Sequence, residues 1–143
     1  MGNVEIPQYL INQIKDGKVV LFLGSGASIG AKHPKNKSTP TGEELGSMIA
    51  KKFLGENFSD RPLSQVAELA ISESDLLSVQ SFIASQFSEF EPSDFHRLIP
   101  KFVWAALATT NYDLIIEKAY DQIEDRLQTI EVFKRDGERV EEK

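Results

Sequence analysis

Two short stretches of small and polar residues carry the residue types from which a nucleotide site can be built. Each follows an apolar run, 19–23 for the first and 102–108 for the second. They read Gly24-Ser25-Gly26-Ala27-Ser28 and Thr109-Thr110-Asn111-Tyr112-Asp113. Glycine lacks a Cβ and tolerates positive φ, so the first stretch can bend sharply and let a ligand approach its backbone N–H groups. Doubly wound folds bind nucleotides at such a loop, at the carboxyl end of the first strand.

The glycine spacing excludes two better-known nucleotide fingerprints. No Gly-Lys-Ser or Gly-Lys-Thr follows, so the loop is not a P-loop. Gly30 comes one position late for G-x-G-x-x-G, and the acids about twenty residues on, Glu43 and Glu44, open a helix instead of ending a strand. A tight turn without a ligand stays open as the alternative, because Gly-x-Gly after a strand is a weak signal by itself.

Length and composition predict one globular domain or a piece of one. Of 143 residues, 41% are hydrophobic and 27% charged, which suits one domain with a packed core. The sequence has no signal-peptide pattern and no apolar stretch of transmembrane length, so we expect a cytoplasmic protein that makes no membrane contact. The lack of cysteine excludes disulfides and cysteine-ligated zinc. A net charge of −6 argues against direct nucleic-acid binding.

Both apolar runs are predicted to be strands. Val19–Leu23 is continuously apolar, which is typical of a parallel strand covered on both faces by helices. The run 102–110 has the same design and is followed by apolar residues at helical spacing from Leu114 to Ile123. We expect a third strand over Thr129–Phe133, then a hairpin-type turn at Asp136-Gly137.

Helices are predicted for most of the remaining chain. A short helix covers 6–15, and Thr41 and Glu44 have the spacing of a capping box at the start of a helix that ends at Gly55. Amphipathic helices follow over 62–71 and 74–87, and a short helical turn over 92–100. The helical insertion, about 41–100, is too long for a simple strand–helix–strand crossover.

The segment 31–40, between the first glycine-rich stretch and the insertion, is predicted to be a mobile loop over the site. It is polar and too rich in proline for regular structure. Its lysines, Lys32, Lys35 and Lys37, either meet a pyrophosphate or form a solvated charge run.

The predicted fold is therefore α/β, a Rossmann-like parallel sheet interrupted by a helical insertion. If both strands are parallel in one sheet, their carboxyl ends lie side by side and the two polar stretches share one crevice.

The two motifs, in this order and with a helical insertion between them, resemble the SIR2-like domain, the family of NAD-consuming relatives of sirtuins in bacterial antiphage defence proteins. Sirtuins have Gly-Ala-Gly-x-Ser and Thr-Gln-Asn-Ile-Asp where this chain has GSGAS and TTNYD. The segment Pro40-Thr41-Gly42-Glu43-Glu44-Leu45 adds to the likeness, which covers most of the chain. The resemblance implies a SIR2-type NAD-binding fold over 1–143.

The resemblance also implies a role for each residue of the two motifs. NAD would be the substrate, without a metal, and Asn111 the catalytic residue that holds the nicotinamide ribose and the attacking water. Asp113 would lie against the nicotinamide carboxamide. The residues implied in NAD binding are Gly24, Ser25, Gly26, Ala27, Ser28, Thr110, Asn111 and Asp113. Structural alternatives stay open, since Asn111 suits a turn and Asp113 suits the first turn of a helix.

One departure from the family pattern concerns the general base. The family uses a histidine, usually in a His-Gly after the next strand, and neither His33 nor His96 fits that position. We therefore expect the chain to be the N-terminal part of a longer, truncated SIR2-like domain and to be inactive alone. The whole protein is expected to hydrolyse NAD as an abortive-infection effector, to form homo-oligomers and to couple to a C-terminal sensor region. The alternative is a catalytically inactive nucleotide-binding or assembly module.

Overall fold

The computed structural model of the chain describes residues 4–55, 58 and 60–133. Five α-helices and two strands are assigned in this part of the chain. In chain order they are α1 (Gln8–Lys15), β1 (Val20–Leu23), α2 (Gly42–Ile49), α3 (Leu63–Glu73), α4 (Leu76–Phe87), β2 (Ala106–Thr109) and α5 (Ile115–Gln122). Short 3₁₀ turns cover Ser25–Ser28 and His96–Lys101, and a π-helical turn over Ala50–Leu54 extends α2. No helix of the described residues is long and apolar enough to cross a membrane.

The two strands pair in parallel, as the sequence predicts. The N–H of Ala105 donates to the carbonyl of Val19 at 2.9 Å, and the N–H of Thr110 donates to the carbonyl of Leu23 at 3.4 Å. Both strands therefore end at the same edge, and each leads directly into one of the polar stretches. The fold is mixed α/β with a two-stranded parallel sheet.

Three sequence expectations about the strands are wrong for the described residues. Val20 and Phe22 are 57% and 67% exposed, so β1 is not covered on both faces. Burial of both faces requires strands and helices on either side, and β2 is the one strand that pairs with β1 in the described part. β2 is also shorter than predicted, beginning at Ala106. Residues 129–132 form no strand, and Phe133 is assigned to a single β-bridge. The turn predicted at Asp136-Gly137 lies outside the described residues.

The helix boundaries follow local sequence signals. The hydroxyl of Thr41 accepts the N–H of Glu44 at 3.2 Å, and the carboxylate of Glu44 accepts the N–H of Thr41 at 2.8 Å, which confirms the predicted capping box. Gly55 ends the helical segment with φ of +91°, and Gly17 follows α1 with φ of +66°. A Cβ on Gly17 would also lie 3.1 Å from Cγ1 of Val103, so both backbone conformation and packing require glycine there.

The chain divides into two compact units, each built from segments that are separate in sequence. One comprises Met1–Phe22, Pro92–Ala108 and Ile116–Lys143, and the other Leu23–Glu91 and Thr109–Ile115. The boundaries between the units at 22/23 and 108/109 fall near the carboxyl ends of β1 and β2. The two polar stretches therefore belong to the same unit, which also contains α2, α3 and α4. We refer to it as the helical unit.

The helical unit has the larger apolar core. Its buried members recur at helical spacing on α2, on the turn that extends it, on α3 and on α4: Leu45, Ile49, Ala50, Val66, Ala70, Val79 and Phe87. An edge-to-face contact between Phe53 and Phe82, with ring centroids 5.6 Å apart, extends the core. These helices are the insertion that the sequence predicts between the two strands, and they hold the loop segments of the site from one side.

The other unit is stabilised by contacts around the chain segment that precedes β2. The indole N–H of Trp104 donates to the carbonyl of Ile99 at 3.0 Å, and its backbone N–H donates to the side-chain oxygen of Gln128 at 2.7 Å. Lys101 and Asp125 form an exposed ion pair at 3.1 Å. Tyr120 on α5 is buried, and burial raises the pKa of its phenol above 10.0.

Asp75 caps the start of α4 in the helical unit, and this cap has a testable pH dependence. Its carboxylate caps α4 by accepting the N–H of Ser78 at 2.8 Å and the hydroxyl of Ser78 at 2.6 Å, and these bonds hold the pKa of the carboxyl below its usual 3.8. A lowered pKa in the folded state stabilises the protein above pH 3.8 and stops doing so as the pH falls through the folded-state value. Asp75→Ala should therefore lower the melting temperature at neutral pH, and the difference from the wild type should shrink well below pH 3.8. Equal melting temperatures at pH 7 would contradict the cap.

Candidate active site at the strand ends

The first polar stretch forms a 3₁₀ turn, Ser25–Ser28, immediately after β1. The N–H of Ala27 donates to the carbonyl of Gly24 at 2.9 Å and closes the turn. Neither Gly24 nor Gly26 has positive φ, contrary to the expectation from the sequence; the chain reverses at Gly30, where φ is +83°. A Cβ built on either Gly24 or Gly26 would meet nothing within 4 Å. The two glycines thus keep open space beside the turn and are not required by its backbone conformation.

Ser28 connects this turn to the second polar stretch. Its side chain is buried, and its hydroxyl donates to Oδ2 of the buried Asp113 at 2.5 Å. The other carboxylate oxygen, Oδ1, accepts the N–H of Ile115 at 3.1 Å. Asp113 therefore ties the first residue of α5 to the turn after β1, and both of its oxygens have protein partners.

The side-chain amide of Asn111 contacts Ser28 and Gly24 and is held in one orientation. Nδ2 donates to the carbonyl of Gly24 and to Oγ of Ser28, each at 3.0 Å. The Gly24 carbonyl can only accept, and the hydroxyl proton of Ser28 is already given to Asp113, so both positions require a donor. The nitrogen and not the oxygen of the amide must therefore face them. The backbone N–H of Asn111 donates to Oγ1 of Thr109 at 3.0 Å, which fixes the residue from its other end.

The remaining polar atom of this side chain has no partner. Oδ1 of Asn111 is buried and accepts no hydrogen bond from the described residues. A buried acceptor without a donor costs about 1–3 kcal/mol, so most buried polar atoms in proteins pair with protein groups or ordered water. The geometry presents a fixed hydrogen-bond acceptor that suits a water molecule or a ligand hydroxyl.

Ser28, Asn111 and Asp113 line a pocket of about 200 Å³ within the helical unit. Ser25, Ser28, Thr110, Asn111 and Asp113 contribute to its polar wall, while Leu45, Leu63 and Phe87 form an apolar wall. Complete small-molecule sites usually measure about 300–1,000 Å³. The pocket is smaller than such a site, so it can hold only part of a larger ligand.

Most of the residues singled out from the sequence come together here. Five of them line the pocket, and the carbonyl of Gly24 holds Asn111. Gly26 and Ala27 belong to the same turn and do not line the pocket. Sequence reasoning missed the role of Thr109, whose hydroxyl accepts the backbone N–H of Asn111, and it gave no binding role to Thr39–Gly42, which line the pocket. The position of Thr109 two residues before an asparagine was the available signal for the first.

Both histidines make structural contacts. The side chain of His33 is 3% exposed; its Nε2 lies 3.2 Å from a carboxylate oxygen of Glu89, and its Nδ1 accepts the N–H of Lys35 at 3.0 Å. His33 does not line the pocket around Asn111. In the other unit, His96 is buried, and its Nδ1 accepts the N–H of Ser93 at 3.0 Å. The sequence interpretation of His96 as a structural residue agrees with these contacts.

The part of the chain that the structure describes contains no cluster of three His, Cys, Asp or Glu side chains able to hold a metal ion. Searches against protein-family models, curated proteins and solved structures found no match to this chain.

Proposed function

We propose that this chain is the NAD-binding portion of a SIR2-like NAD hydrolase, which cleaves the bond between nicotinamide and ribose. One observation carries the proposal: Oδ1 of Asn111 is buried and unpaired at the carboxyl ends of two parallel strands, while protein contacts fix the other end of its amide. This position in the fold is where open α/β sheets bind nucleotides. The motif resemblance supplies the identity of the nucleotide.

The chemistry of such a cleavage suits a fixed, neutral acceptor. Breaking the nicotinamide–ribose bond passes through an oxocarbenium-like state, in which water attacks the anomeric carbon as nicotinamide leaves. Oδ1 of Asn111 would accept a hydrogen bond from that water or from a ribose hydroxyl and would hold it in line. Because its orientation is already set by Gly24 and Ser28, no reorganisation is needed during the reaction.

The remaining motif residues divide into two groups under this proposal. The turn Ser25–Ser28 and the open space beside Gly24 and Gly26 would accommodate the phosphates and adjoining ribose of NAD. Ser28 and Asp113 would act on the site through Asn111, since their hydrogen-bonding groups are engaged with protein atoms. The resemblance also implies a contact of Asp113 with the nicotinamide carboxamide, for which one of its engaged oxygens would have to accept a second hydrogen bond.

The biological setting is proposed from the motif resemblance alone. It comprises a cytoplasmic antiphage effector that forms homo-oligomers and is controlled by a C-terminal sensor region.

A second candidate function is a nucleotide-binding or assembly module without activity. It is favoured by the contacts of His33, whose two ring nitrogens are both engaged and which lies outside the pocket lining. A general base for water is thus not supplied by the one histidine of the helical unit. The two candidates share the binding site and differ in turnover.

Titration and turnover separate these candidates. Calorimetric titration of the chain with NAD should show binding under both, and nicotinamide release from NAD by the whole protein should occur only under the first. Binding without release by the whole protein would favour the module. Absence of both would overturn the proposal that this pocket is a NAD site.

Gly26 provides a graded test of where the ligand lies. A side chain at this position has room in the free protein, because a Cβ would meet no atom within 4 Å and φ is not positive. Gly26→Ala and Gly26→Val should therefore fold normally, while the valine projects into the space assigned to the phosphates and weakens NAD binding. Calorimetry on both variants, with melting curves as the control, gives the answer. Unchanged affinity in a folded Gly26→Val protein would remove the turn from the site.

A further inference from the structure

We propose that a second groove of the helical unit binds an extended basic segment of a partner protein. The groove measures about 670 Å³ and lies between the loop 33–40, the outer face of α2 and the end of α4. We call it the α2–α4 groove. Its lining includes Lys37, Glu43, Met48, Glu89 and Phe90. Pro40 lines both this groove and the Asn111 pocket. The function proposed above makes no use of it.

The walls of the α2–α4 groove are held in place by specific contacts. Lys32 and Glu91 exchange two backbone hydrogen bonds, each 2.8 Å long, where the loop meets the segment after α4. The next residue, His33, is buried against Phe90 with ring centroids 4.8 Å apart and contacts Glu89 at 3.2 Å. The capping box anchors the opposite wall at the start of α2. A preformed groove of this kind binds without a large ordering cost.

The charge of the groove favours a cationic occupant. Among the described residues, the groove is lined by the three carboxylates of Glu43, Glu44 and Glu89 and by one ammonium group, that of Lys37. Glu44 is engaged in the capping box, whereas the side chain of Glu43 has no hydrogen bond or ion pair among the described residues. These acids do not converge on a metal-binding point. Negative charge spread along a groove complements an extended chain with several positive groups.

The volume of the groove lies within the usual range of small-molecule sites, but the exposure of its lining favours a peptide. Small-molecule sites bury about 70–90% of their ligand. Here the lining residues Lys37, Glu43 and Glu89 are exposed, and Met48 in the same lining is 40% exposed. Methionine is a common contact residue on surfaces that bind peptides, because its side chain is flexible and polarizable. The fitting segment therefore carries Lys or Arg side chains on either side of an apolar residue.

The proposal is tested with a fluorescein-labelled hexapeptide of alternating lysine and leucine, at about 0.15 M salt, where surface charges beyond about 8 Å are screened. The matched probe replaces lysine by glutamate. Fluorescence anisotropy should show binding of the basic peptide and none of the acidic one. Glu43→Gln should weaken binding about two- to fivefold, the usual range for one exposed ion pair. Met48→Ser should weaken it as well.

Glu68→Gln is the matched control, because it makes the same charge change on the exposed side of α3, outside the groove. It should leave the affinity within about twofold, as expected for a distant surface charge. Glu43 is preferred to Glu89 as the test position, since Glu89 also contacts His33. No binding of the basic peptide, equal binding of the acidic one, or equal losses in Glu43→Gln and Glu68→Gln would each overturn the proposal.

Discussion

Asn111→Ala in the whole protein is expected to lower kcat for nicotinamide release by about 10²–10³, which corresponds to about 3–4 kcal/mol of transition-state stabilisation. Oδ1 of Asn111 is the unpaired acceptor of the pocket, and its orientation is set before substrate binds. An interaction made chiefly in the transition state affects kcat more than KM, so KM should change little. Steady-state kinetics with NAD, with nicotinamide measured directly, gives both constants.

Asn12→Ala is the control for this variant. Asn12 is an exposed asparagine on α1, and its side-chain oxygen accepts a hydrogen bond from the side chain of Gln8 at 3.1 Å, so its truncation should leave kcat unchanged. A purely structural Asn111 would behave differently, because losing its two side-chain donors would cost on the order of 1 kcal/mol of stability and spare the chemistry. An Asn111→Ala protein that melts at lower temperature but cleaves NAD at the wild-type rate would remove Asn111 from the catalytic role.

Ser28→Ala is expected to lower the free energy of unfolding by about 2 kcal/mol, more than the typical single substitution. The Ser28 hydroxyl donates to the buried carboxylate of Asp113 and accepts from Nδ2 of Asn111. Its removal leaves a buried carboxylate oxygen without a donor, and hydrogen bonds to charged groups contribute about 1.5–3 kcal/mol. Denaturant titration measures the change.

Ser25→Ala is the matched comparison for Ser28→Ala, because Ser25 is exposed in the same turn. Its effect should stay within about 0.5 kcal/mol, the usual range for surface positions. In a double-mutant cycle, Ser28→Ala combined with Asp113→Asn should cost less than the sum of the two single changes, because the hydroxyl and the carboxylate act as one pair. Wild-type stability of Ser28→Ala, or strict additivity in the cycle, would show that the short Ser28–Asp113 contact does not stabilise the protein.

Local sequence determined the helices and their ends. The capping box of Thr41 and Glu44 and the positive φ at Gly55 involve residues a few positions apart, so the pattern alone was sufficient to predict them. The parallel pairing of β1 and β2 was also predicted, because two apolar runs with the same polar ending suggested the same place in a sheet. The NAD-binding function attached to those endings stays a prediction.

Sequence reasoning failed where a feature depends on distant neighbours. Whether Val20 and Phe22 are covered depends on which elements pack against β1, and a strand over 129–133 needs a partner strand. The backbone of Gly24 and Gly26 was predicted from glycine's freedom, but a 3₁₀ turn of this kind does not use it. Residue type limits which backbone conformations are possible, and the surrounding structure selects one of them.

The sequence by itself determined which residue types stand at the two strand ends, and the tertiary structure decided how they act on one another. Ser28 and Asp113 are 85 positions apart, and Asn111 and Gly24 are 87 apart, so no local pattern encodes their hydrogen bonds. Which atom donates and which accepts in each bond can be worked out only once the partners are known. The resulting pattern of bonds leaves Asn111 Oδ1 without a protein donor and assigns Ser28 and Asp113 to holding the amide, because a hydroxyl proton given to a carboxylate cannot also be given to an amide oxygen.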